Sequence, residues 1–224
     1  MTTNQKTARI AGLLYLAVVL TGIFSLAYVP SKLIVWDNLA TTYHNIKASE
    51  SLFRLGIIAG LSCYLFFFFL VLQLYKLFEP VDNGCAKVMA LLAILSVPIY
   101  FLNTQNQFNV LSLLNDPIGL SVEQVQLQLM LNLTQYDNGM RIVHIFSGLW
   151  LFPFGYLVYK SRFLPKFFGI LLMMGCFGYL INFLGNTLIA DYSTLGVSKY
   201  ISMPATFGEI GICLWLLAIG VKEK

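Results

Sequence analysis

Charge is what this sequence has least of. Only 11% of its 224 residues are Asp, Glu, Lys or Arg, against 58% hydrophobic residues. That is too little polar matter to cover a soluble domain of this length. Histidine occurs twice, at His44 and His144, and cysteine four times, at Cys63, Cys85, Cys176 and Cys213, with no CxxC spacing. The cysteines therefore read as small apolar packing residues, and neither a disulfide framework nor a metal centre or other cofactor is expected. Equally missing are GxSxG, HExxH, a glycine-rich phosphate loop and paired aspartates at metal spacing. Catalysis thus loses its usual sequence signatures.

What the chain does have is length without interruption by charge. A membrane span needs about 20 mostly apolar residues at ~1.5 Å rise each. Six runs qualify, near 9–29, 54–78, 86–114, 140–160, 166–190 and 201–221. They take up most of the sequence, so the expected fold is a single domain over 1–224: an all-α integral membrane protein, a bundle of six transmembrane helices in the lipid bilayer. The net charge of +4 does not call for nucleic acid, because the basic residues sort by side. Nine of them (Lys6, Arg9, Lys76, Lys87, Lys160, Arg162, Lys166, Lys222 and Lys224) fall at one set of span ends. The other five are Lys32, Lys47, Arg54, Arg141 and Lys199. The positive-inside rule then places both termini in the cytoplasm of a multi-pass protein of the cytoplasmic membrane. Ser25-Leu26-Ala27 loosely resembles a cleavage site, but the apolar run before it exceeds a signal core, so the first span is expected to be retained.

Between the spans, Asp37 is a plausible N-cap for a short interfacial helix in the 31–52 loop. Gly56 and Gly60 have the spacing of close helix packing. Pro98 and Pro153 predict disturbed hydrogen bonding in the third and fourth spans, with a carbonyl freed near Leu149. Residues 121–134 nearly alternate apolar with polar, as a strand would. Ser121 and Gln124 nevertheless form a capping box, and Val122, Val125, Leu129 and Leu133 share a helical face. The expectation is a short surface helix in the outer 115–139 loop.

The stretches ARIAGLLYLAVVLTGIFS, ESLFRLG, FSGLWLFPFGYLVYKSRFLPKFFGILL and GEIGICLWLLAIGVK occur in this order. They resemble the bacterial membrane family catalogued as domain of unknown function 4386, from about Arg9 to Val221. The segment Leu149 to Gly169 is the most specific part, with PFG where PLG is the family's habit. The resemblance implies an uncharacterised multi-helix membrane protein of bacterial type and carries over no catalytic residue.

Function must therefore come from the polar side chains. Arg54, Asn106, Arg141, His144, Asn182, Asn186 and Glu209 fall toward the outer half and form the candidate ligand-binding set, with Asn103 and Gln107 nearby. Glu209 lies about eight residues, or ~12 Å, inside the last span. An ionised side chain there costs at least ~2.5–3.5 kcal/mol, and a neutral one at pH 7 costs ~3.7 kcal/mol from its reference value. A cation or a hydrogen-bond network must offset either, and Arg54 and Arg141 are the cations with the reach. One reading is an outward-facing cavity that binds or moves a small anionic or zwitterionic ligand. Another is a scaffold, sensor or accessory subunit whose polar cluster clamps helices, with protein partners unspecified. A lipid-modifying enzyme using a Glu209–His144 acid/base pair ranks below both, since no nucleophile or metal stands beside it. His144, Asn182 and Asn186 each also have a bland role, hydrogen-bonding between helices.

Overall fold

A computed structural model describes residues 3–117 and 119–221, with the backbone alone at 3, 193, 194 and 199. Lys222 and Lys224, counted in the charge asymmetry, lie outside the described residues, as does the side chain of Lys199. The chain begins with α1 (Thr3–Gly22), which widens into a π-helix (Ile23–Tyr28) and continues as α2 (Val29–Leu33). Next come α3 (Leu39–Ala48), α4 (Glu50–Phe78), α5 (Asn83–Asn103) and α6 (Gln105–Asn115). Then α7 (Val122–Leu149), α8 (Leu151–Ser161), α9 (Lys166–Leu188), a 3-10 turn (Tyr192–Leu195) and α10 (Val197–Ala218) complete the order. There is no strand among the described residues.

Six helical stretches are long and apolar enough to cross a membrane: Asn4–Leu33, Glu50–Phe78, Asn83–Asn115, Val122–Ser161, Lys166–Leu188 and Tyr200–Ala218. The protein is an all-α, six-span membrane bundle. With an even number of crossings both termini share one end, called here the near end; α3 and the α6–α7 connection mark the far end.

The first span runs on through Pro30, beyond the end expected at Val29-Pro30. Proline is tolerated there because it stands in the first turn of α2, where its missing N–H matters little. The 31–52 loop does hold a helix, α3, but its cap is Asn38, whose side chain accepts from the Thr41 N–H at 2.9 Å, and not Asp37. The fourth span breaks at Trp150, three residues before Pro153, where the ring denies the ladder a donor. The third passes through Pro98 and is interrupted at Thr104.

The 121–134 segment is helical, started by the Ser121–Gln124 capping box, but it is not a separate surface helix. It is the first half of α7, since nothing between Leu133 and the fourth span stops the ladder. The 40 residues of Val122–Ser161 would extend about 60 Å, twice a hydrocarbon core. Part of this span must therefore project beyond the bilayer. Val125, Leu129, Met130 and Leu133 face inward and pack with Ile46 of α3, Val110 of α6, and Val29 and Leu33 of α2. The far end is thus a small helical cap with its own apolar core. A larger core, centred on Leu70, Leu74, Met89, Trp150, Phe154 and Leu172, fills the bundle toward the near end.

Glycines set the closest approaches. A Cβ at Gly155 would lie 2.5 Å from the carbonyl of Gly169, and one at Gly169 would lie 2.6 Å from that of Gly155. Backbone therefore touches backbone where α8 meets α9. At the near end Lys160 pairs with Asp82 at 2.7 Å, while Asp82 also caps α5 through the Cys85 N–H. The Lys160 ammonium, with that N–H, holds the Asp82 carboxyl below the usual carboxylate value.

Candidate functional site

Glu209 sits midway along α10, and its helical neighbours Ala205, Ile212, Cys213 and Leu216 are all buried. Their spacings of three, four and seven residues place Glu209 on the same inward stripe. Its carboxylate lines a partly open cavity of about 360 Å³ whose rim includes the exposed Ile23, Leu26 and Ile210, room for about a dozen waters. Tyr15 of the neighbouring α1 donates its hydroxyl to Glu209 Oε1 at 3.2 Å. A carboxylate has about four acceptor sites, and this is the hydrogen bond it receives among the described residues, so most of its capacity remains open.

The rest of the lining mixes aliphatic side chains, among them Val18, Val19 and Ile210, with aromatic ones. Tyr64 and Phe67 come from α4, Trp150 from the break between α7 and α8, and Tyr179 from α9. Each makes a ring contact with a neighbour. Tyr64 stacks on Tyr100 at 3.8 Å, Phe67 meets Trp150 edge-on at 5.3 Å, and Tyr179 lies 5.8 Å from His144 between ring centroids. Gly148 lets α9 come close enough for this, because a Cβ there would stand 2.5 Å from Tyr179 Cβ. Cys63, Ser147, Thr206 and His144 add polar atoms, and among the described residues no Lys or Arg lines the cavity. Ile23 and Leu26 bring the π-helix into its wall, a conformation that recurs at functional positions in membrane and soluble helices alike.

Below the cavity, α1 and α10 close the near end. A Cβ on Gly12 would fall 2.8 Å from the backbone nitrogen of Leu217. Arg9 donates to the Leu217 carbonyl, and Gln5 bonds both the Ile219 carbonyl and the Val221 N–H at 2.9 Å. Toward the far end lies a second cavity of about 270 Å³ under the helical cap. Leu26 and His144 line both.

Of the seven candidate residues, the structure brings Glu209 and His144 together in one cavity and leaves the other five outside its lining. The arginine partner expected for Glu209 is not there. Arg54 pairs with Glu50 at 2.6 Å and Arg141 with Asp137 at 3.2 Å, each four residues back on its own helix and each half exposed. Local pairing wins because an i,i+4 carboxylate needs no long reach across the bundle. Asn106 donates to the carbonyl and side chain of Asn103 one turn away, and Asn103 in turn donates to the Tyr136 carbonyl at 2.8 Å. Asn182 joins α9 to α10, donating to Ser202 Oγ at 2.8 Å and the Ser198 carbonyl at 3.2 Å and accepting from Tyr192 at 2.9 Å. Asn186 donates back to the Asn182 carbonyl. Sequence reasoning missed Tyr15, Tyr64 and Tyr179. The available signal was tyrosine deep inside apolar spans, away from the interfaces where it usually gathers. Among the described residues no group of three or more His, Cys, Asp or Glu is placed to hold a metal ion.

The profile of the family described as Domain of unknown function (DUF4386) matches residues 10–220. An uncharacterised protein of Archaeoglobus fulgidus is 34% identical over 91 residues, covering 41% of this chain and 52% of that protein. The chain thus spans about half the length of the curated relative it matches. No solved structure matches it.

Proposed function

The chain belongs to the DUF4386 family, a domain of unknown function, and from that premise we propose that it is a membrane-embedded binding protein for small organic cations. The observation that carries this reading is the composition of the Glu209 cavity among the described residues: one carboxylate, Glu209, with a single hydrogen bond, five aromatic rings besides His144, and no Lys or Arg. Ring faces attract ammonium groups by ~2 kcal/mol or more when both are dry, and a carboxylate supplies the countercharge. The ligand in turn offsets the cost of an acid in the bilayer. A purely anionic ligand would face the Glu209 carboxylate with no Lys or Arg among the described lining residues to offset it, and Arg54 and Arg141 are engaged elsewhere. The closed near end favours a binding, sensing or accessory role over an open conduit. The far end faces outward in this reading, which the distribution of Lys and Arg supports.

Phenyltrimethylammonium and its neutral isostere tert-butylbenzene separate charge recognition from simple apolar filling. The cation should raise the melting temperature of the protein in nanodiscs and the isostere should not. Glu209→Gln should weaken cation binding at least about tenfold, or ~1.4 kcal/mol. Equal binding of both compounds, or undiminished binding by the variant, would refute the proposal. Flux of the cation into sealed vesicles would turn the binding role into transport.

A further inference from the structure

We infer that the far-end cavity is a second site for the same organic cations, an entry vestibule from which they reach Glu209 past a partition made by Leu26 and His144. This rests on the reading just given for Glu209. The vestibule shares an acid-and-aromatic lining with the inner site, although its carboxylate already carries an arginine partner. Its carboxylate is Asp137 of α7, its rings are Trp36, Phe53 and Tyr136, and no Lys or Arg among the described residues lines it. Arg141 holds Asp137 from outside the lining, at 3.2 Å.

Gln107 supplies an independent observation. Gln107 lines this cavity, and its Oε1 is buried with no hydrogen-bond partner among the described residues, whereas buried acceptors in folded proteins are nearly always met. A ligand N–H seated beside Asp137 would satisfy it. Two acid-and-aromatic cavities with shared walls therefore form a graded route, in which an organic cation exchanges one carboxylate and ring set for another. The partition stands where the route needs a movable element. Leu26 belongs to the π-helix Ile23–Tyr28, whose wider turn re-aims side chains relative to an α-helix. His144 carries the opposite side of the same wall from α7.

The route has a kinetic signature that a structural role lacks. An intermediate site on the path changes how fast the inner site fills and empties, but not how tightly it binds. In full-length protein in nanodiscs, stopped-flow mixing with a fluorescent dye carrying a secondary ammonium, whose N–H can donate to Gln107, should show Asp137→Asn and Gln107→Leu slowing association and dissociation together, each about tenfold, with Kd at the inner site within about twofold. As a check on folding, Trp36→Cys carrying a bulky disulfide-linked label should slow both rates, and reductant should restore them, while identically treated wild type keeps its rates. Unchanged rates in the labelled protein would overturn the vestibule and place entry directly from the bilayer, with inner-site binding intact. A change in Kd without a change in association rate would also overturn it. Absence of Glu209-dependent dye binding in the wild type would instead remove the inner site on which the vestibule depends.

Discussion

Asn182 offers a clean separation between a polar residue that binds helices and one that binds ligand. Its side chain makes three hydrogen bonds, to Tyr192, Ser202 and the Ser198 carbonyl. Such bonds between membrane helices average ~0.6 kcal/mol and reach ~1.7 kcal/mol, so three are worth about 2 kcal/mol. Tyr192 is only 6% exposed, and its ring lies over Gly185, where a Cβ would fall 2.4 Å from the ring. Its hydroxyl cannot swing to water when Asn182 is removed, which adds ~1 kcal/mol for a buried orphan. Asn182→Ala should therefore lose about 2–3 kcal/mol in equilibrium unfolding in mixed SDS micelles, and Tyr192→Phe about 1 kcal/mol. The double variant should lose less than the sum, by about 0.6–1.7 kcal/mol, because the shared bond is counted twice. Cation binding at the Glu209 cavity should be unchanged in all three. A loss below ~0.5 kcal/mol for Asn182→Ala, or strict additivity, would refute the clamp.

Gly60→Ala should destabilise by ~1–3 kcal/mol in the same unfolding assay, since its Cβ would meet Tyr100 Oη at 2.0 Å. Tyr100 has no room to yield, being stacked on Tyr64 and bonded to Tyr136 at 3.3 Å. Arg54→Ala should leave both the melting temperature and cation binding unaltered, because its pair with Glu50 is exposed and outside the cavity. Asp82 carries an acid-side prediction. With its carboxyl held below the ordinary value of 3.8 by Lys160, its contribution is complete above that value and vanishes as pH falls through the lowered one. Asp82→Asn should thus reduce stability at neutral pH and flatten the stability–pH curve in that acid window. For orientation, a thiol probe at Gln128 should react from the outer face of intact cells and one at Lys166 only after permeabilisation. The opposite pattern would invert the bundle.

The spans were legible because their signal is length, and length is what a bilayer selects. The break at Trp150 could be anticipated from Pro153, whose missing N–H acts locally. By contrast, the π-helix at Ile23–Tyr28 leaves no periodicity of its own in six residues. Val29-Pro30 therefore looked like an end when it was a continuation. The surface helix of the 115–139 loop was misplaced for a related reason: a capping box reports where a helix starts, not whether it later joins a span. The arginine assignment failed on a signal that was present. Glu50 and Asp137 precede Arg54 and Arg141 by four residues, and local carboxylates outcompete a distant Glu209. Tyr15 meets Glu209 across 194 residues of sequence, a pairing that only the fold brings about.

The central claim is that Glu209 and its ring of aromatics hold an organic cation, and the most direct measurement is to see one there. (4-Iodophenyl)trimethylammonium carries the ammonium the cavity selects and an iodine that marks its position by anomalous scattering. Crystals grown with it should show one iodine peak inside the cavity, with the ammonium within salt-bridge distance of Glu209 and against Tyr15, Tyr64 or Tyr179. The peak should vanish in crystals of Glu209→Gln at the same concentration. A peak confined to the lipid-facing surface, or equal occupancy in the variant, would contradict the account.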